Sequence, residues 1–410
     1  MRSICLYFKV HQPLRLRHFQ FSEIGKSTNY YDDFTNEEII SRMATNCYLP
    51  ANKIILNLIN HFQGQFKVAF SISGTTIDLF KSFVPEVIES FRNLAETGCV
   101  EFLAETYSHS LAILSNKGEF CRQVELHSAT IETLFGIKPA IFSNTDLVYC
   151  DEIGATLSEL GFKGVLTDRP GHFRSDSSFV YHNTKHAGLK VLFKNKQLSD
   201  NISSRFSDYK WSAWPMTSPK FVNLLNKIPK DENSVNLFMN YETFGEQNKF
   251  GTGIFKFLCS LPSAVFTKSD FGFSTPSELI NNSEPASLIS EIYQNSNTNQ
   301  KHNFTPWVVN CFQQEAFEKL YGISDRISES KDPLILKDWQ NLQTCDHFNY
   351  MNTEGTSQNM EPANNPYKRP YDAYINYMNI LNDLSMRLYW GLNKNQHDAS
   401  NQVKLNQRPE

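Results

Sequence analysis

Four short polar clusters hold most of the residues whose types could do chemistry: HQP (11–13), AETYSH (104–109), SNTD (143–146) and NYETFGE (240–246). They bring imidazoles (His11, His109), carboxylates (Glu105, Asp146, Glu242, Glu246) and amides (Gln12, Asn240). Gathered at one place, such groups can move protons, attack an electrophilic carbon or hydrogen-bond a polar ligand. Glu105 and His109 are four apart, so a helical segment would set them on one face. That spacing could serve a metal, but no third ligand lies near in the sequence, which favours ligand contact or structural pairing. On an extended strand end, Glu242 points to the same side as Asn240. The Asn240 amide has no proton to give at neutral pH, although it can donate and accept hydrogen bonds.

Each cluster directly follows an apolar, strand-like run. These runs are ICLYFKV (4–10), CVEFLAE (99–105), KPAIFSNTDL (138–147, a strand and its exit) and VNLFMNYETFGE (235–246, an apolar strand that runs into an acidic loop), and FKVAFSIS (66–73) and KGVLTD (163–168) are further strand-like segments. Helical patterns alternate with them: KIILNLINHF (53–62), PEVIESFRNLAETG (85–98, Pro at its start and Gly at its end), EFCRQVELHSATIETLFG (119–136) and EIGATLSELGF (152–162). Repeated strand–helix–strand units imply a parallel sheet, and their number fits a β/α barrel better than an open sheet. In a barrel the C-terminal strand ends converge on one face, and the four clusters would meet there. An open sheet with a switch-point cleft is the alternative. Beyond about residue 270 the texture changes. Residues 281–305 are polar and read as a loop. The segments 303–323 and 370–389 have helical spacing, and the polar stretch after Trp390 reads as a frayed end. The expected division is therefore a barrel over 1–270 and a mainly helical region over 271–410.

Composition narrows the function. A net charge of −4 argues against nucleic acid as a partner, because phosphate binding needs excess Lys and Arg. No run is apolar enough to span a bilayer, and the N-terminus reaches Lys9 and His11 too soon for a signal-peptide core. A cytoplasmic protein is expected. The eight Cys form no C-x-x-C pair, so no zinc ribbon or redox motif is indicated. The 32 Phe and 17 Tyr fit a large aromatic core, or a cleft whose rings would face the flat apolar sides of sugars.

Five ordered segments resemble glycoside hydrolase family 57, in its α-amylase-like subgroup. They are KVHQPLRL (9–16), GCVEFLAETYSHSL (98–111), IFSNTDLVYCDEIG (141–154), LFMNYETFGEQ (237–247), and CDHFNYMNT (345–353) followed by PYDAYINYMNIL (370–381). The resemblance implies an incomplete, TIM-like barrel of seven β/α units with a helical region contributing to the active site. It also implies retaining chemistry on α-1,4-glucan oligosaccharides with no required cofactor or metal. That chemistry uses two carboxyls about 5–5.5 Å apart, one attacking the anomeric carbon and the other protonating the leaving oxygen.

Both catalytic positions depart from the family. Where it carries a nucleophilic Glu this chain has Asp146, whose carboxylate is set back by about 1.5 Å, one C–C bond. A misplacement of about 1 Å can cost about 10²-fold. Where the family carries its acid/base Asp this chain has Asn240, and losing such help typically costs about 10²–10⁴-fold. The resemblance further marks His11, Gln12, Glu101, Glu105, His109, Glu242, Asp346 and His347 as candidate substrate-binding residues. Trp211 and Trp214, in KWSAWP, join them as rings that could stack on sugars or simply pack on the barrel. Three functions compete: a glucan-binding protein with an impaired site, an active α-amylase or 4-α-glucanotransferase using Asp146 with Glu242, and an interaction protein with a vestigial cleft.

Overall fold

The computed structural model describes residues 2–168, 180–182, 188–282, 287–288, 308–353 and 365–405. Expectations for most of 281–305 and for the start of the 303–323 segment fall outside these residues. The chain divides into two compact units: residues 1–12, 37–109 and 118–303 form the first, and 13–36, 110–117 and 304–410 the second.

The first unit is built on ten strands among the described residues: β1 (Arg2–Val10), β2 (Val68–Ile72), β3 (Val100–Phe102), β4 (Ile141–Ser143), β5 (Gly164–Thr167), β6 (Val180–His182), β7 (Lys190–Phe193), β8 (Ser234–Asn240), β9 (Phe271–Phe273) and β10 (Ser287–Leu288). Parallel ladders join β3–β2–β1–β8 and β4–β5–β7. Two narrow seams connect these arcs. A parallel bridge pairs Ala104 with Phe142, just past β3 and within β4. Asn195 N donates to Asn236 O at 2.8 Å, and Asn236 Nδ2 donates to Phe193 O at 2.9 Å, linking the end of β7 to β8. The strands β1, β2, β3, β4, β5, β7 and β8 thus form a barrel-like ring in the expected parallel sense. β9 occupies the N-terminal part of one β1 edge, with Arg2 opposite Phe271, while β2 takes the C-terminal part. β6 runs antiparallel to β7 and carries β10.

Strand periodicity explains what fills this ring, since alternate side chains share a face. Cys5 and Tyr7 of β1, Ala69 of β2, Leu103, Ile141 of β4, Leu166 of β5, Leu192 of β7 and Phe238 of β8 form one buried cluster. Leu279 and Ile280, on the helix Pro276–Asn282, pack into the same cluster. Tyr7 crosses the interior, its hydroxyl within 2.7 Å of Ser71 Oγ and 2.8 Å of Ser143 Oγ. Two residues further along their strands, the same inward parity carries Lys9, Ser71, Glu105 and Asn240 to the C-terminal mouth.

The second unit is helical, with Cys311–Gly322, Ser324–Glu329, Pro333–Leu342, Cys345–Asn349 and Pro370–Leu405. Two polar side chains on the last helix hold the segment 13–36 to it. Asn376 Oδ1 accepts from Phe19 N at 2.6 Å, and Asp383 accepts from Gly25 N at 2.5 Å and from Tyr30 OH. Arg387 spans Tyr30 OH (3.0 Å) and Asp338 (2.8 Å).

Two expectations are corrected. The division does not fall at 270, because β9 and the helix Pro276–Asn282 are tied to the barrel, while 13–36 and 110–117 fold with the C-terminal helices. Nor does the chain fray at Trp390: the helix that begins at Pro370 continues to Leu405. That stretch contains no Pro, and adding turns to an existing helix needs no new nucleus.

Candidate functional site

At the mouth of the ring four ionisable side chains alternate in sign. Lys9 Nζ donates to Asp146 Oδ1 at 2.7 Å, His109 Nε2 lies 3.7 Å from the same oxygen, and His109 Nδ1 meets Glu105 Oε2 at 2.8 Å. Glu105 and His109 are almost wholly buried, whereas Lys9 and Asp146 keep 21% and 15% of their side-chain surface exposed. Burial by itself would make every one of these charges costly. Burial and the Lys9 charge both oppose an imidazolium at His109. Hydrogen bonding to Asp146 and Glu105 outweighs them and raises its pKa to about 9. Burial likewise opposes the Asp146 carboxylate, but Lys9 and His109 hold it well below the usual carboxylate range. Glu105 is also lowered, against its burial, chiefly by its hydrogen bond to His109.

The backbone is bent to make these contacts. His109 (φ 52°), Asp146 (φ 48°) and Leu147 (φ 61°) adopt left-handed conformations. Such conformations are disfavoured for side chains with a Cβ, Asp and His being among the more tolerant types. The Asp146 turn is held by Asn144 Nδ2 donating to Val148 O (2.9 Å) and by Thr167 Oγ1 donating to Leu147 O (2.8 Å).

His11 and Gln12 extend the site from the end of β1. The His11 ring stacks on His109 at 4.0 Å, and its Nδ1 is 2.7 Å from Ser73 Oγ. Ser73 in turn caps the helix Gly74–Phe83. Gln12 N donates to Thr76 Oγ1 at 2.7 Å, and its amide lies 3.5 Å from Glu242 Oε1. Glu242 sits in the tight turn after β8 and accepts from Tyr48 OH at 2.6 Å. Burial raises its pKa despite that hydrogen bond. Tyr48 reaches it from a π-helical turn, Ala44–Tyr48, whose Cys47 Sγ also contacts Tyr241 O at 3.2 Å. Asn240 is half-buried at the end of β8, in register with Lys9. The loop that follows needs Gly245 (φ 110°), because a Cβ there would stand 2.0 Å from Asn46 O.

Six of the candidates therefore lie together: His11, Gln12, Glu105, His109, Asp146 and Glu242, with Asn240 on the strand beside Lys9. Glu101 does not join them. It faces inward at the opposite end of the ring, where it accepts from Ser277 N (2.9 Å) and Ser277 Oγ (2.5 Å) and fixes the start of the helix Pro276–Asn282. Trp214 is 39% exposed and packs against the exposed Tyr209, with ring centroids 4.7 Å apart; Trp211 is half-buried in the same segment. Asp346 and His347 belong to the second unit, on the helix Cys345–Asn349, where buried His347 lies against Tyr377.

Sequence reasoning missed four contributors. Lys9 carries a signal in hindsight, being a charge with inward parity in an otherwise apolar strand. Tyr48 and Ser73 have no local signature. Nor does His127, whose Nδ1 accepts from Glu105 N at 3.2 Å while its Nε2 lies 2.8 Å from Ile72 O. These partners assign it the neutral tautomer protonated on Nε2, in line with its burial-lowered pKa.

Residues 5–293 match the sequence profile of the group described as "Glycosyl hydrolase family 57". A Methanocaldococcus jannaschii protein provisionally named an alpha-amylase is 33% identical over 423 aligned positions, covering 99% of this chain and 89% of the relative. Among solved structures, the alpha-amylase AmyC from Thermotoga maritima superposes with a TM-score of 0.61 at 15% identity, covering 96% of this chain and 94% of that one. A branching enzyme from Pyrococcus horikoshii gives 0.65 at 12% identity, covering 93% and 88%. A 4-alpha-glucanotransferase from Thermococcus litoralis gives 0.62 at 14%, and there the match covers 85% of this chain but 56% of the larger enzyme. At such identities the structural likenesses speak for the fold alone.

Proposed function

This chain belongs to glycosyl hydrolase family 57, and from that premise we propose that it binds α-1,4-glucan oligosaccharides at the mouth of its barrel and cleaves them poorly. The observation that carries the reading is the amide of Asn240, which ends β8 in register with Lys9 where the family motif has a carboxyl. A neutral amide cannot protonate a leaving glycosidic oxygen or activate water. Asp146, at the nucleophile position, is ionised but already held by two cationic groups.

The groups suited to holding a sugar are in place. Glu105 Oε1 is buried without a protein donor among the described residues, an acceptor that a sugar hydroxyl can satisfy. Around it stand His11, Gln12 and His109, all suited to hydroxyl contacts. Calorimetry with maltoheptaose at millimolar concentration tests this reading. Binding is expected, together with little or no product over a day; absence of binding overturns it and favours an interaction role with a vestigial cleft.

One observation favours a second reading, an active retaining enzyme. The burial-raised pKa of Glu242 is what a general acid requires, and this residue lies two positions beyond Asn240. Under that reading maltoheptaose is cleaved, and either Asp146→Ala or Glu242→Gln abolishes the products. Cleavage that persists in Asp146→Ala points to a contaminating enzyme.

A further inference from the structure

Retaining cleavage proceeds through an oxocarbenium-like transition state, so the sugar becomes positively charged next to the nucleophile. A site that favours this state presents uncompensated negative charge to it. Here the opposite holds. The Lys9 ammonium sits 2.7 Å from Asp146 Oδ1, and His109 lies 3.7 Å from that same oxygen. Both contacts fall on Oδ1, which leaves Oδ2 as the oxygen for attack. Lys9 is placed firmly: it is the next inward residue of β1 after Cys5 and Tyr7, its side chain is four-fifths buried, and Asn240 is its partner on β8.

We propose that Lys9 is a built-in silencer of this site, a positioning residue that holds Asp146 and cancels the negative charge a glycosyl cation would need. The inference deepens the reading of Asp146 as the nucleophile position and rests on it. It also goes beyond the two altered catalytic positions, because it predicts that Asp146→Glu combined with Asn240→Asp leaves the site slow while Lys9 is charged.

The test uses α-maltosyl fluoride, whose leaving group needs no general acid, so that Asn240 is taken out of the comparison. In the step measured, Asp146 Oδ2 forms a bond to the anomeric carbon while the C–F bond breaks and its electron pair leaves with fluoride. Water then displaces the carboxylate from that carbon and gives its proton to the solvent. Fluoride release is compared in the full-length protein, Lys9→Gln, Lys9→Arg, and Lys9→Gln combined with Asp146→Ala. Gln keeps a donor for Asp146 without the charge, whereas Arg keeps the charge. Release by Lys9→Gln is expected to be faster by about tenfold or more, since one nearby cation is removed from a partly buried site. Lys9→Arg should remain slow, and the double variant should lose the gain. In Lys9→Gln the His109 ring, followed by NMR, should also titrate at higher pH, a change that loss of packing would not produce.

Lys9→Met is made in parallel so that a misfolded Gln variant does not decide the matter. Release no faster in folded, maltoheptaose-binding Lys9→Gln or Lys9→Met overturns the inference and leaves the glucan-binding reading standing. Failure of every form to bind maltoheptaose overturns both.

Discussion

His109 is the residue on which the electrostatics of the mouth turn. With two carboxylates as neighbours and only 2% of its side-chain surface exposed, it is favoured as the cation that links them. Removing one partner of such a buried pair commonly costs about 3–5 kcal/mol, because the other charge is stranded. The pH dependence follows from its raised pKa. A group lifted from 6.5 to about 9 gives its full stabilisation below pH 6.5 and loses it as the pH rises through about 9. Glu105 and Asp146 are shifted downward, so their contributions are present at neutral pH and lost on acidification. Melting temperature should therefore decline between pH 6.5 and 9, and His109→Gln should flatten that decline. A wild-type alkaline limb no steeper than the variant's would show that His109 is not held as a cation. With no third ligand near in the sequence, Glu105 and His109 are expected to contact a ligand or pair with each other rather than hold a metal; in the fold the Asp146 carboxylate stands beside them and extends the chain of charges.

Among the elements, the helix Pro276–Asn282 and the loop after β8 have separable tasks. The helix packs Leu279 and Ile280 into the barrel interior and is fixed there by Glu101. Glu101→Ala removes two hydrogen bonds to Ser277, one of them at the first turn of the helix, and should cost about 1–3 kcal/mol in urea unfolding. Its affinity for maltoheptaose should be unchanged, and a large fall in affinity would return Glu101 to the binding site. The loop behaves differently because it carries Glu242. Gly245→Ala would force a Cβ against Asn46 O from a backbone at φ 110°. A loss of at least about 1 kcal/mol is expected, and here affinity should fall as well, since Tyr48 and Glu242 would be pulled apart. Unchanged unfolding and binding would mean that the loop tolerates the shift.

For the whole molecule, the retained polar frame and the family membership argue for a ligand of defined linkage. Binding to the folded state alone raises stability in proportion to the logarithm of ligand concentration over Kd, about 2.7 kcal/mol at 100 times Kd. Maltoheptaose should raise the melting temperature of the full chain, and cellohexaose, with β linkages, should leave it unchanged. Equal shifts with both sugars would argue against α-glucan selectivity. No helix among the described residues is long and apolar enough to cross a membrane.

What the sequence determined by itself is the ring and its mouth. Strand length, helix spacing and the polar clusters at the strand ends are local properties, and they point to one shared rim for His11, Gln12, Asp146, Asn240 and Glu242. The identities at 146 and 240 were equally legible, because a shortened carboxylate and a missing one are facts of the residue at each position. The tertiary structure decided which charges meet. Lys9 and Asp146 lie 137 positions apart and touch because the inward parity of β1 brings Lys9 to the mouth while a left-handed turn past the end of β4 swings Asp146 toward it. Glu101 and Glu105 share that parity on one run of chain, yet one anchors a helix at one end of the ring and the other pairs with His109 at the mouth. Burial, direction and partner are set by closure of the ring, which no single segment encodes.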